Sequence, residues 1–419
     1  MLYAQQMIQS LQNGEIQEAQ KHYKKVKSLG TDDEKFYLAE ELFHLGFLDE
    51  TKELYESLLE KFPSEGELIV QYAEVLVEMD LEEDAIETLS KIGESDPEFP
   101  RALLLQADLY QMQGLYEVSE QKLLKAKKLL PTETVIDFAL AELYMELGRF
   151  LEAIRSYTSV LEDGQKNMAG VSIYHRLAEA HSAGGAFEKA LEFYEKAEEE
   201  HLEINTLFGY GFTAFQAGHY LTAIEKLKSV KELDSDYTSV YLLLAKAYER
   251  EEMLKESLHT VLEGIKYDEY NKELSFYGGK IALKLNDETQ AESLIRAAIA
   301  LDPAYLEAAL TLNKLLFTQE RFQDVLEITE ILNNEIEEDP QLIWDTAKAY
   351  MGLEKYDQSL KQYRLAYNFF KTNETFLDEY GNFLTEEGLR EEAIQVFERL
   401  LDMNPADDEL LLRIERLKE

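Results

Sequence analysis

Lysine recurs four times in succession at an interval of 34 residues, at Lys246, Lys280, Lys314 and Lys348. A row of ammonium groups at constant spacing does one kind of chemistry, the capture of carboxylates and other anions through charge-assisted hydrogen bonds. The chain holds 30 lysines in 419 residues. Among a few hundred repeat windows, such a run arises by chance with odds on the order of one per cent, or several per cent if only surface positions count. Stepping back along the same register gives Phe212 and then the opposite sign at Glu179, Glu142, Asp108, Glu74 and Glu40, and stepping forward gives Asn382. The series changes sign once, in the middle.

Other candidate chemistry fails on residue type or context. Cysteine is absent, which removes thiolate nucleophiles, disulfides and Cys-based zinc sites. The histidines at 22, 44, 175, 181, 201, 219 and 259 form no HExxH motif, and His175 and His181 share a helix without sharing a face. Carboxylates are so abundant that close pairs of them say little about acid–base catalysis. There is no P-loop and no GxSxG, while Gly209-Tyr210-Gly211 and Gly278-Gly279 fall inside helical patterns, where glycine permits close packing. No active site, metal site or cofactor is expected.

With 84 acidic against 42 basic side chains, a net charge of −42 repels phosphate backbones and anionic lipid surfaces, so nucleic-acid binding is not expected. Neither a basic, apolar leader at Met1–Gln6 nor an uninterrupted run of 18 apolar residues is found, and a soluble cytoplasmic protein without membrane insertion is expected. Proline is scarce, with seven in the chain, strand-like alternation is missing, and Ala, Leu, Glu, Lys and Gln dominate, which points to an all-α fold. A single core rarely grows past about 250–300 residues, so 419 residues must form several domains or extend in one dimension.

The elements that must position the lysines follow from a second periodic column, at Gly14, Gly46, Asp80, Gly114, Gly148, Gly185, Gly218, Glu252, Asn286, Glu320, Glu354 and Gly388. Its intervals are 32, 34, 34, 34, 37 and 33, then 34 five times, the period of a helix–turn–helix repeat. Five residues after each turn stands a small residue such as Ala19, Ala153 or Ser359, and four residues later a larger filler such as Tyr23, Tyr157 or Tyr363. Seven residues before the turn, the first helix supplies alanine at 39, 73, 107, 141, 178, 245 and 347 and glycine at 211, 279 and 381. Small and large side chains interlock across each helix pair. The 37-residue interval places a glycine-bearing loop at 162–170, a candidate loosened junction, and 407–419 reads as a capping helix with Leu410, Leu411, Ile414 and Leu417 on one side.

Ala107, Tyr110, Gly114, Ser119, Leu123, Ala126 and Pro131 show these columns together in one repeat, and prolines at 63, 97, 131, 303 and 405 sit where second helices should stop. The chain thereby resembles the tetratricopeptide repeat family. That resemblance implies a right-handed superhelical solenoid of about twelve helix pairs over residues 1–406, with positions 2, 5, 9, 12 and 13 of each repeat lining a concave groove. It places the lysines at position 9, beside position-5 residues Phe208, Phe276, Leu310 and Trp344 and beside Phe212 and Phe317. The lysine and asparagine clamp with which some members grip a terminal carboxylate is not expected, because position 5 is apolar in nearly every repeat.

The resemblance implies a non-enzymatic scaffold or adaptor that holds an acidic or amphipathic peptide or helix, chiefly in the C-terminal half. Two readings of the lysines stand side by side: a basic track, or neutralisation of Glu249, Glu273 and Glu307. Trp344, the only tryptophan, is either a groove anchor or a core filler. The N-terminal acidic column is either a solvated face or the receiver of a basic partner. A peptide-sensing regulator whose superhelix changes shape, and self-assembly of acidic on basic halves, are the alternative functions.

Overall fold

The computed structural model describes residues 2–200, 203–333 and 339–419, so His201 lies outside the described residues. These fold into helices joined by tight turns, with one two-stranded hairpin. The chain divides into two compact units, Met1–Thr206 and Leu207–Glu419.

In the N-terminal unit the first helices of successive repeats are α1 (Leu2–Gln12), α3 (Asp32–His44), α5 (Gly66–Glu78), α7 (Phe99–Met112), α9 (Thr134–Glu146) and α11 (Ile173–Ala183). Each is followed by its second helix: α2 (Ile16–Leu29), α4 (Leu48–Leu59), α6 (Glu82–Leu89), α8 (Tyr116–Leu129), α10 (Phe150–Glu162) and α12 (Phe187–Glu200). The C-terminal unit takes up within α13 (Ile204–Ala217) and α14 (Tyr220–Leu233). It continues with α15 (Ser239–Arg250), α16 (Leu254–Tyr267), α17 (Lys272–Lys284), α18 (Glu288–Leu301), α19 (Leu306–Thr318) and α20 (Phe322–Asn333). It ends with α21 (Pro340–Gly352), α22 (Tyr356–Tyr367), α23 (Glu374–Glu386), α24 (Arg390–Met403) and the single helix α25 (Asp408–Lys418). Paired helices such as α1 and α2, α9 and α10 or α17 and α18 pack on each other, and first helices of neighbouring repeats also touch, as α1 does α3, α5 does α7, α15 does α17 and α19 does α21.

All twelve residues of the turn column adopt positive φ, between 55° and 84°, whether or not they are glycine. The reason is a hydrogen bond that closes each first helix. The amide after the turn residue reaches back to the carbonyl five residues earlier, as Phe47 does to Leu42 (2.9 Å) and Lys355 does to Tyr350 (2.9 Å). That Schellman closure requires a left-handed residue at its centre. A Cβ added at Gly46 or Gly388 would meet nothing within 4 Å, so conformation rather than space selects glycine there. In the first helices the reverse holds, because a Cβ on Gly211 would lie 2.7 Å from Leu227 and one on Gly279 would lie 2.5 Å from Ile295.

The second-helix column of small residues, from Ala19 to Ala393, is buried throughout, and Tyr157, Tyr363 and Phe397 beneath it are all but inaccessible. The insertion expected as a loop is a small β-hairpin. Strands β1 (Asn167–Met168) and β2 (Val171–Ser172) pair antiparallel, with Ala169 and Gly170 both at positive φ at the tip, as a two-residue hairpin turn demands. At the C-terminus, Asp407 caps α25 by accepting the Leu410 amide at 2.9 Å. Leu410 and Ile414 bury themselves in the last core cluster and Leu417 packs against it, whereas Leu411 stays exposed.

Candidate functional site

The four lysines stand at equivalent places on α15, α17, α19 and α21, and their surroundings differ. Lys246 Nζ lies 6.0 Å from the ring centre of Tyr277 in the next first helix. Lys280 Nζ sits 4.5 Å above its own Phe276 ring and 3.4 Å from Glu307. Lys348 Nζ is over both Phe317 (4.6 Å) and Trp344 (5.1 Å), and 3.1 Å from Asp345. A cation above an aromatic face at such distances is held by about 0.5–1 kcal/mol where water has access. Lys314 is exposed and has no ion pair among the described residues.

The charge-balancing reading survives only in part. Glu307 does face Lys280, but Glu249 pairs with Lys284 at 2.5 Å and accepts the Tyr277 hydroxyl, so no lysine of the series serves it. Burial pushes the Glu249 carboxyl up; the Lys284 ammonium and the Tyr277 hydroxyl outweigh it and leave the group below the usual carboxylate range. Asp345, three residues before Lys348, is the carboxylate that sequence reasoning overlooked. It is 4% exposed, lies within 3.1 Å of Lys348 and accepts Asn313 Nδ2 and Gln341 Nε2, each at 3.1 Å. Its i, i+3 spacing on one helix was the available signal.

Two of the expected partner-contacting residues are buried. Trp344 is core, not an exposed anchor. Only 8% of it is accessible, its ring packs on Phe370 and edge-on to Phe376, both at 5.2 Å, and its Nε1–H donates to Glu379 at 2.7 Å. Glu379 also accepts the Tyr363 hydroxyl at 2.6 Å, which ties the indole into the polar edge of the last core. Phe276 is 2% exposed, stacked edge-on against Tyr305 and covered by Lys280. In both cases a position-5 ring is covered by an aromatic side chain from the turn that leads into the next first helix, Tyr305 over Phe276 and Phe370 over Trp344. Leu310, Phe317 and Phe208 are half-buried, the last against Tyr237 at 5.0 Å, and Phe212 is 41% exposed.

The acidic series of the N-terminal unit is likewise uneven. Glu40 accepts Gln71 at 3.3 Å, Glu74 pairs with Arg101 at 2.6 Å, and Glu179 holds Arg176 at 2.8 Å. Glu142 accepts the buried Tyr157 hydroxyl at 2.5 Å and lies 3.1 Å from Arg176. Asp108 is exposed and forms no ion pair among the described residues. Among those residues no helix is long and apolar enough to cross a membrane.

Profiles of known families match this architecture. Residues 111–165 match YpiA-like tetratricopeptide repeats, 340–407 match YpiA-like C-terminal tetratricopeptide repeats, and 42–109 and 171–200 match further tetratricopeptide repeats. The chain is 42% identical over 414 residues to the TPR repeat-containing protein YpiA of Bacillus subtilis, covering 98% of each. It is 24% identical over 291 residues to the CTR9 homologue of Arabidopsis thaliana, covering 63% of this chain and 25% of that one. Among solved structures, the C-terminal part of a TPR repeat-containing protein from Cytophaga hutchinsonii superposes with a TM-score of 0.50 at 18% identity, over 57% of this chain and 97% of that one. Tetratricopeptide repeat proteins generally bind protein or peptide partners as interaction scaffolds. From the shared repeat columns and this end-to-end identity it follows that the chain belongs to the YpiA-like family of tetratricopeptide repeat proteins.

Proposed function

We propose that this protein is a cytoplasmic, non-enzymatic adaptor that holds an acidic, amphipathic segment of a partner along the first helices of its C-terminal unit. The observation that carries the reading is the exposed Lys314, flanked along the series by Lys280 and Lys348, each held over an aromatic ring. A cation restrained in this way loses little rotamer freedom when a carboxylate arrives. Lys246, Lys280, Lys314 and Lys348 supply the charge, and Phe212, Leu310 and Phe317 supply the accessible apolar surface. Exposed ion pairs are worth about 0–1 kcal/mol each, so the lysines orient the segment while apolar contacts carry affinity.

The test is a binding titration of a labelled amphipathic peptide, leucine on one face and glutamate on the other, against the wild type and the variant with all four lysines changed to glutamate. Reversing four charges is expected to weaken binding by about thirtyfold or more. Equal affinity for both proteins removes the lysine series from the site.

A further inference from the structure

The first-helix face of the N-terminal unit contains a hollow of about 300 Å³ between α7 and α9. Its floor is apolar, made by Leu104, Ala107, Leu123, Phe138 and Ala139, with Val135 standing 42% exposed at the edge. The two alanines leave the space, since side chains one methyl long cannot fill the gap between facing helices. Its rim is polar, with Asp108 and Gln111 from α7 and Glu142 from α9, the last already held by Arg176 and the Tyr157 hydroxyl.

The cations nearby in sequence leave Asp108 without an ion pair among the described residues: Lys122, beside the floor residue Leu123, donates to Gln106 at 2.8 Å, and others hold different carboxylates. Arg101 is 2.6 Å from Glu74, Lys127 is 2.7 Å from Asp137, and Arg176, which reaches Glu142, is also held by Glu179. Asp108 therefore keeps an exposed negative charge beside an apolar depression. The same combination recurs two repeats earlier, where a hollow of about 280 Å³ floored by Phe36, Phe62 and Leu68 is bordered by Asp33, Glu65 and Glu67, with Phe62 44% exposed. Two apolar hollows rimmed by carboxylates on one unit fit one kind of occupant. In the C-terminal unit a hollow of about 680 Å³ is bordered by both signs, Glu249 and Glu252 with Arg250 and Lys284, and lacks that complementarity.

We propose that the N-terminal unit is a second docking surface, for a basic amphipathic segment of a partner protein, with an aliphatic or aromatic side chain in the α7–α9 hollow and a Lys or Arg against Asp108. The unit carries 42 acidic and 19 basic side chains, so its field steers such a segment toward it, and the hollow decides where it stops. The protein then bridges partners of opposite charge, one on each unit.

The experiment is a fluorescence-anisotropy titration of the full-length protein with a labelled helical peptide that presents leucine on one face and lysine on the other, beside its glutamate-for-lysine counterpart. Asp108→Lys is expected to weaken the lysine peptide by about tenfold and Asp108→Asn by about threefold. Glu87→Lys, the same charge change at an exposed position on α6, is expected to alter it by less than about twofold. Ala139→Leu, which fills the hollow, is expected to weaken binding even at high salt, where steering is screened. Far-ultraviolet circular dichroism confirms that each variant is folded, and Asp108→Asn is the reference if the lysine variant is not. Equal losses from Asp108→Lys and Glu87→Lys would reduce the effect to unspecific attraction and overturn the proposal, as would no preference for lysine over glutamate peptide. Changing the four C-terminal lysines to glutamine, which creates no new carboxylate, is expected to alter this titration by less than about twofold, so the two surfaces stand or fall separately.

Discussion

The two units use the same repeat and nearly the same charge, yet present it differently. Each holds 42 acidic side chains, against 19 basic ones in the N-terminal unit and 23 in the C-terminal unit. What separates them is one position of the first helix, carboxylate from Glu40 to Glu179 and lysine from Lys246 to Lys348. Net charge governs solubility and long-range attraction, whereas a partner reads the few groups that stand beside accessible apolar surface. A second contrast lies at the turns. Five of the six left-handed turn residues of the N-terminal unit are glycine, with Asp80 the exception, while the C-terminal unit has glycine only at 218 and 388.

The largest expected effect tests whether the C-terminal face has a buried or an exposed aromatic anchor. Trp344→Ala is expected to cost about 3–5 kcal/mol, the range for removing a large buried aromatic, and it strands Glu379 without its indole donor. Urea unfolding measures it. A variant of unchanged stability that has lost only peptide binding would return Trp344 to the groove and make the two faces less alike. Within the lysine series the expected effects diverge. Lys348→Ala leaves the nearly buried Asp345 short of a cation and is expected to destabilise by about 1–2 kcal/mol, whereas Lys314→Ala, at an exposed position, is expected to stay within about 0.5 kcal/mol. Equal stability losses would mean that the series is one uniform structural column.

How much of this was legible in the sequence depends on the reach of each interaction. The turn column was readable because the backbone closure repeats at a fixed interval, and Asp80 or Glu354 could be placed by register where residue type gave no hint. The buried small column was readable for the same reason. Trp344 was not, because its cover comes from Phe370 in the turn after α22 and Phe376 on α23, and periodicity places a residue on a helix without saying what roofs it. The α7–α9 hollow was hidden too, since Ala107 and Ala139 read as ordinary small residues until Phe138 and Leu104 frame the gap between them. Lys284 on Glu249, 35 residues apart, escaped because neither stands in the position-9 column. The hairpin at 167–172 rests on an Ala-Gly turn, a weaker signal than Asn-Gly, so a loop was the natural expectation.

Further small effects concern the turns, where inserting and removing glycine should answer with opposite signs. A non-glycine residue in the left-handed region costs about 1–3 kcal/mol in the folded state, while replacing it by glycine returns about 0.4–1 kcal/mol to the unfolded chain as entropy. Glu252→Gly, Glu320→Gly and Glu354→Gly in the C-terminal unit are therefore expected to stabilise by about 0.5–1 kcal/mol each, and Gly148→Ala in the N-terminal unit to destabilise by about 1 kcal/mol. Asn286→Gly should gain least, because asparagine visits this region more readily than glutamate does. Chemical denaturation of the single variants checks the signs, and the sum of the three glutamate replacements, far enough apart to add, checks the size. If Glu354→Gly destabilises, its side chain contributes something beyond strain. The contrast between glycine-rich and glutamate-rich turns would then belong to surface chemistry rather than to backbone conformation.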